Sequence, residues 1–185
     1  KAMQLANQAI GIDDREPFAY VIRAITNVFR RDHSAARNDT RIALDINSSD
    51  AMAHMVIGLS YNWCNEPDGS VKYFDDAERL SPKDPVLWLS LLGRTLNYLI
   101  EEKFEDADAA GMRAIAVPSA PLIDRIIHAA SLGHLGRTGE AQTAIETITS
   151  IKPNFPLGYV DWILPTNDPH VREVILKGLR KAGAP

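Results

Sequence analysis

Five histidines and a single cysteine, Cys64, are the first residues to weigh for metal binding, proton transfer or nucleophilic attack. His128 and His134 are six positions apart, which on a helix puts them on different faces. A helical metal pair needs the i, i+4 spacing and a third ligand, so packing or surface imidazoles are the expectation here. Gly133-His134-Leu135-Gly136-Arg137-Thr138-Gly139 has the glycine density of a phosphate loop. It follows a helical pattern instead of a strand, however, and lacks the Gly-Lys-Ser/Thr ending, so it reads as a turn. There is no Gly-x-Ser-x-Gly elbow and no Cys–His pairing of recognisable spacing. Glu101, Glu102, Glu105, Asp106 and Asp108 form an acidic stretch. A solvated turn is the default for such a run, and contact with a basic partner is the alternative. No catalytic residue, metal site or cofactor is expected.

Composition narrows the classes further. At 185 residues, 45% hydrophobic and 24% charged, the chain can form one folded unit or a short repeat array. A net charge of -4 and a pI near 5.7 supply no basic field, so nucleic acid is not the expected partner. One cysteine allows no internal disulfide and no thiolate cluster, which fits a reducing compartment and makes the cytoplasm the expected location. No apolar run is long enough for a bilayer and no signal peptide opens the chain, so membrane is not expected either. Ala2, Leu5, Ala6, Ala9 and Ile10 form a helical face at once with no capping residue before it, as in a segment of a longer protein.

The elements that must position these side chains repeat. Ala2, Ala36, Ser70, Ala107 and Ala141 recur at intervals of 34, 34, 37 and 34, and Ala9, Ala43, Ala77, Ala114 and Ile148 follow the same intervals. Two helices of about a dozen residues with two short turns fill such a period, and small side chains let the helices approach closely. The longer interval puts three extra residues between Trp88 and Ala107 and predicts that the helices of the third unit are lengthened.

Further columns carry the same register. The second unit, Ala51 to Asp84, has His54, Ile57-Gly58, Tyr61, Ser70, Phe74, Ala77 and Pro82; the third has Trp88, Leu91, Ala107 and Ala114. The first, Pro17 to Asp50, has Tyr20, Ala24, Ala36 and Ala43, and the fourth, Leu122 to about Phe155, has Ala129, Gly136, Ala141 and Pro153. These columns resemble the tetratricopeptide repeat family. The resemblance implies an all-α fold, a right-handed superhelix of antiparallel helix pairs. It would comprise a half unit at 1–14, units at 17–50, 51–84, 85–121 and 122–155, and capping helices at 156–185. Arg23 and Asn27 in the first unit, and Arg125 and His128 in the fourth, stand in columns that normally pack, which predicts imperfect packing or special neighbours there. The segment Leu80 to Pro85 with Trp88, together with Gly178 to Gly183, looks like the C-terminal repeat regions of bacterial class III nucleotide cyclases and winged-helix transcriptional regulators.

For the C-terminus, Asp168-Pro169 predicts an N-capped helix. Val171, Val174, Ile175, Gly178 and Leu179 would form one face of it and Arg172, Glu173, Lys177 and Lys181 the other, with Gly183 as terminator. Pro156 to Trp162 reads as a further helix stopped by Pro165.

In the resembled family the first helix of each pair lines a concave groove. Carried over by position, the groove is Phe18, Val21, Ile25 and Val28; Met52, Met55, Leu59, Asn62 and Trp63; Val86 and Leu89; Ile123, Ile126 and Ala130. These side chains are apolar where family members that clamp a terminal carboxylate carry Lys, Asn and Arg, so that mechanism is not expected. Met52, Met55 and Trp63 are the expected anchors. The expected occupant is a protein or peptide: an amphipathic helix, another domain of the parent protein, or a second copy in a homodimer. Self-filling of the groove is the alternative. The function implied is a non-catalytic protein–protein interaction or regulatory module of a larger bacterial signalling protein. Alternatives are the regulatory C-terminal portion of a nucleotide cyclase or of a DNA-binding regulator, and an oligomerisation spacer.

Overall fold

The computed structural model describes residues 1–153 and 155–184; Asn154 and Pro185, which fall within the segments 122–155 and 156–185 outlined above, lie outside the described residues. A single helix, α1 (Ala2–Ile12), precedes four antiparallel pairs. These are α2 (Pro17–Phe29) with α3 (His33–Ile46), α4 (Ala51–Asn62) with α5 (Pro67–Leu80), α6 (Trp88–Ile100) with α7 (Phe104–Ile115), and α8 (Leu122–Leu135) with α9 (Thr138–Ile151). A short helix, α10 (Leu157–Ile163), and a longer one, α11 (Pro169–Lys181), end the chain. The result is a helical-repeat superhelix, with no strand among the described residues. No helix among them is long and apolar enough to cross a membrane.

The repeat is visible in three sets of backbone landmarks. First helices start at 17, 51, 88 and 122, and second helices at 33, 67, 104 and 138. Within each pair the turn contains a left-handed residue: Arg31, Asn65, Glu102 and Gly136, with φ of 62, 61, 57 and 69°. All three sets step by 34, 37 and 34. The three extra residues therefore do not lengthen α6 or α7, which have 13 and 12 residues against 12 to 14 in the other pairs. They are absorbed in the turn between α5 and α6, at 81–87, so that α6 starts three residues later than a strict 34-residue period requires. An added turn inside a helix pair would shift its small residues away from their neighbours, whereas a longer surface turn leaves the contacts in register.

The small-residue columns are the seams. Ala36, Ser70, Ala107 and Ala141 are fully buried, as are Ala43, Ala77, Ala114 and Ile148. Phe74 is wedged between the repeats: a Cβ on Gly58 would come within 2.7 Å of its ring and one on Gly93 within 2.0 Å. Asp32, Asp50 and Asp168 cap their helices by accepting backbone N–H bonds, and proline occupies the first turn of α2, α5 and α11.

Three of the four polar residues in normally packed columns, Arg23, Asn27 and His128, have specific partners. Arg23 donates to both oxygens of the buried Asp39 at 3.0 and 2.7 Å, and Asn27 donates to the same carboxylate at 3.1 Å. His128 lies 2.7 Å from buried Asp108, which also accepts from Arg137. A Cβ on Gly111 would meet the His128 ring at 2.7 Å, so this glycine makes room for it. Where unit one or unit four lacks an apolar side chain, a carboxylate from an adjoining second helix fills the polar need.

Candidate functional site

The inner face is built by α2, α4, α6 and α8, and the chain's own C-terminus enters it. α11 packs on α8 and α6 and makes no contact with α9, so it caps the array from the concave side. The outer end is left to α9, whose exposed residues include Glu140, Gln142, Glu146 and Ser150, a solvated face that needs no cover. At the crossing of α11 and α8 the backbones touch: a Cβ on Gly133 would lie 2.0 Å from the Gly178 carbonyl oxygen, and one on Gly178 would lie 2.4 Å from the Ala130 carbonyl oxygen. Val171, Ile175 and Leu179 are completely buried by this docking. His134 donates from Nε2 to the Val174 carbonyl at 2.7 Å while its ring stacks on Phe104, and His170 Nε2 reaches the Ile100 carbonyl at 3.3 Å. Burial holds the His134 imidazole below its ordinary range, helped by Lys181 and Lys177 and opposed by the Val174 carbonyl.

Over the first half of the array, the inner face is covered, among the described residues, by α10 and the extended residues after it. Thr166 Oγ1 donates to the Trp63 carbonyl at 2.6 Å, and Arg31 Nη2 donates to the Trp162 carbonyl at 3.4 Å. Val160 and Leu164 are buried along this strap, as is Phe155 just before it. Beneath it remains a cavity of about 550 Å³.

Nine of the residues expected in a groove line this cavity: Ile25, Val28, Met52, Leu59, Trp63, Val86, Leu89, Ile123 and Ile126. Val86 does so from the turn before α6, because the displaced insertion moves Leu89 and Leu92 into the columns first given to Val86 and Leu89. The other five, Phe18, Val21, Met55, Asn62 and Ala130, do not line it. Phe18 is 56% exposed, whereas Val21, Met55, Asn62 and Ala130 are fully buried. Asn62 donates to the Gly93 carbonyl at 2.6 Å and so ties α4 to α6. Met55 is thus a core residue, and Trp63, only 2% exposed, is a cavity wall already covered by the strap. Neither is accessible in the folded chain, whereas Met52 is half-buried.

Sequence reasoning missed Leu92, Trp88 and Phe29 in the lining, and above all Tyr159, Ile163 and Pro165, which form the roof. The 37-residue interval was the available signal for Leu92. For the roof, the local pattern announces a short helix and a proline stop, but nothing in it gives a direction of return.

Three polar features lie outside this cavity's lining. Both oxygens of buried Asp124 lack a hydrogen-bond partner, and burial pushes its carboxyl up to about 7. Both ring nitrogens of His33 are likewise unpartnered; burial holds the imidazole low, with the Pro165 backbone opposing. Asp108 and His128 border a second hollow of about 510 Å³ between α7, α8 and α9, together with Arg125, Glu140 and Thr143. Since His128 is paired with a carboxylate that Arg137 also grips, this cluster ties α7 to α8 and the following turn. Burial raises the Cys64 thiol, leaving it protonated and a poor nucleophile at neutral pH. No group of three potential metal ligands occurs among the described residues.

The architecture is shared with solved tetratricopeptide-repeat (TPR) proteins. TTC0263, a thermophilic TPR protein of Thermus thermophilus, aligns with a TM-score of 0.71 over 96% of this chain and 89% of its own, at 18% sequence identity. YrrB, a TPR protein with an unusual peptide-binding site, aligns with a TM-score of 0.59 over 98% of this chain and 92% of its own, at 19% identity. At these identities the likeness concerns the fold. No protein-family model and no curated protein sequence matches the chain.

Proposed function

We propose that this chain is a non-catalytic protein–protein interaction module whose partner presents apolar side chains to the inner face of α2, α4 and α6. The observation that carries this reading is the chain's own α11: the same face, further along, holds an amphipathic helix by burying its apolar side. The first half offers comparable apolar side chains, Ile25, Met52 and Leu89 among them, beside the 71% exposed Phe29 and the 75% exposed Trp162. YrrB, with its unusual peptide-binding site, supports a peptide or protein as the class of partner.

Within that reading, the favoured setting is a regulatory part of a larger bacterial signalling protein, with another domain of that protein as one partner. The resemblance of 80–88 and 178–183 to cyclase and winged-helix regulator C-termini motivates this setting. Sequence preceding Lys1 discriminates: metal-binding aspartates indicate a cyclase, a winged-helix pattern a DNA-binding regulator.

Affinity capture with the intact chain and with a Met52→Glu variant tests the groove. Met52 is half-buried on the cavity wall, so a charge there should abolish capture while leaving the helical circular dichroism intact. Identical captured partners from a folded variant would sink the reading. An oligomerisation role is the second reading, favoured by the outward side chains of α1, where Ile12 is 88% exposed and Leu5 more than half exposed. Light scattering that shows a strict monomer across a concentration series removes it.

A further inference from the structure

We propose that the cavity beneath α10 is a site for the hydrocarbon tail of a single-chain anionic amphiphile of the fatty-acid class. This rests on the preceding section only in taking the inner face of α2, α4 and α6 as a binding surface; the ligand is a small molecule and requires no polypeptide to dock. Size is the first argument. A cavity of about 550 Å³ falls within the ~300–1,000 Å³ of small-molecule sites, whereas a helix with its side chains is about 10 Å across or more. Seating α11 took backbone contact at Gly133 and Gly178, and no glycine lines this cavity.

Chemistry is the second argument. The walls are aliphatic side chains, Met52, prolines and aromatic rings, with polar side-chain atoms limited to the Tyr159 hydroxyl and the indole N–H groups of Trp63 and Trp88. Inside the cavity a polypeptide backbone would bring N–H and C=O groups to walls that cannot satisfy them, so a docked polypeptide stays at the rim and sends in side chains alone. A methylene chain brings none, and a flexible thioether adapts to its shape. Charge supplies the head group. The Lys152 ammonium sits 4.1 Å from the centroid of the Tyr159 ring, which lines the cavity, so a cation stands at the roof. A carboxylate left at the edge of the roof therefore meets positive potential.

The test titrates the full chain with octanoate, decanoate and laurate, and with dodecyltrimethylammonium as the cationic counterpart. Affinity should climb about fourfold per added methylene, and laurate should bind more tightly than the cation. Trp63 and Trp88 line the cavity and Trp162 does not, so in a Trp162→Phe background laurate brominated on its chain should still quench tryptophan fluorescence. Leu89→Trp fills the space and should weaken laurate binding by about tenfold or more with helical content unchanged. If that variant fails to fold, quenching in the Trp162→Phe chain decides alone. No binding at any chain length, affinity independent of length, or quenching that vanishes with Trp162 each overturns the proposal, and equal affinity for the cation overturns its anionic head. A chain that captures a polypeptide through Met52 yet ignores laurate refutes this inference and leaves the interaction module standing; laurate binding without any captured partner does the reverse.

Discussion

Over α6 and α8 the inner face receives α11 so closely that Gly133 and Gly178 have no space for a Cβ; over α2 and α4 the same kind of face holds the seven-residue α10 at a distance, with a cavity between. Side-chain size explains the contrast. Where α8 presents Ala130 and Gly133, a helix can settle backbone to backbone, and its apolar side chains fill the flanks. Where α2 and α4 present Ile25, Val28, Met52 and Leu59, an incoming segment rides on branched and long side chains and cannot close the space. One repeat architecture thus yields a flush internal contact at one end and a chamber at the other, depending on a few residues per helix.

The largest effect should come from breaking the flush contact. Gly178→Leu would drive a side chain into the Ala130 carbonyl and His134, costing about 3 kcal/mol in urea denaturation. Gly133→Ala is a sharper probe because its sign is diagnostic. In an unobstructed helix the change gains about 1 kcal/mol, but here the new Cβ meets the Gly178 carbonyl, so the variant should be less stable than the parent. Gly158→Ala in α10, where a Cβ meets nothing within 4 Å, should show no such loss. A stabilising Gly133→Ala would mean that the two inner-face halves are not packed differently after all.

The two alanine columns make the repeat and the number of helix pairs legible in the sequence, because a packing seam admits only small residues and they must recur at the period of the fold. The site was less legible, for two physical reasons. A register counted strictly by 34 misplaces α6 by the three residues absorbed in the turn at 81–87, which exchanges Val86 for Leu92 as an inward helical residue. Periodicity also records which residues are apolar, without saying which element covers them. Met55 and Val21 are buried by the repeat itself, and Tyr159 and Ile163 come from a segment more than 90 residues beyond α4 along the chain. Arg23, Asn27 and His128 read as flaws singly; each is explained only once Asp39 and Asp108 are placed beside it.

A smaller effect tests the roof. Thr166→Val removes the hydroxyl that satisfies the Trp63 carbonyl and leaves that oxygen buried without a partner, at a cost of about 1 to 2 kcal/mol. The loss should be local. Hydrogen exchange should accelerate through α10 and the residues after it, while α11, held by its own contacts with α8, keeps its protection. Equal acceleration in both helices would make the strap and α11 one cooperative unit and remove the distinction between the halves.

The smallest effect comes from protons, and it addresses each half separately. His134 beneath α11 and His33 near the strap both have their imidazoles held below the ordinary range, chiefly by burial. Both are therefore neutral in the fold near neutral pH. The unfolded chain binds the extra protons, so this contribution to stability is fully present above about 6.5 and is lost as pH falls below that value toward the folded pKa. A charged His134 would face Lys177 and Lys181 on α11, opposed by Glu102; a charged His33 would face Arg37 and Arg31, opposed by Asp32. Lowering pH from about 7.5 to about 5.5 should thus reduce protection factors, corrected for the intrinsic pH dependence of exchange, in α11 and in residues 164–168. His134→Gln should silence the response in α11 alone, since glutamine does not titrate, and His33→Gln should silence it in the strap alone. An α11 response that survives His134→Gln would place the acid sensitivity elsewhere, with Asp124 excluded by sign: a carboxyl raised to about 7 favours the fold as pH falls.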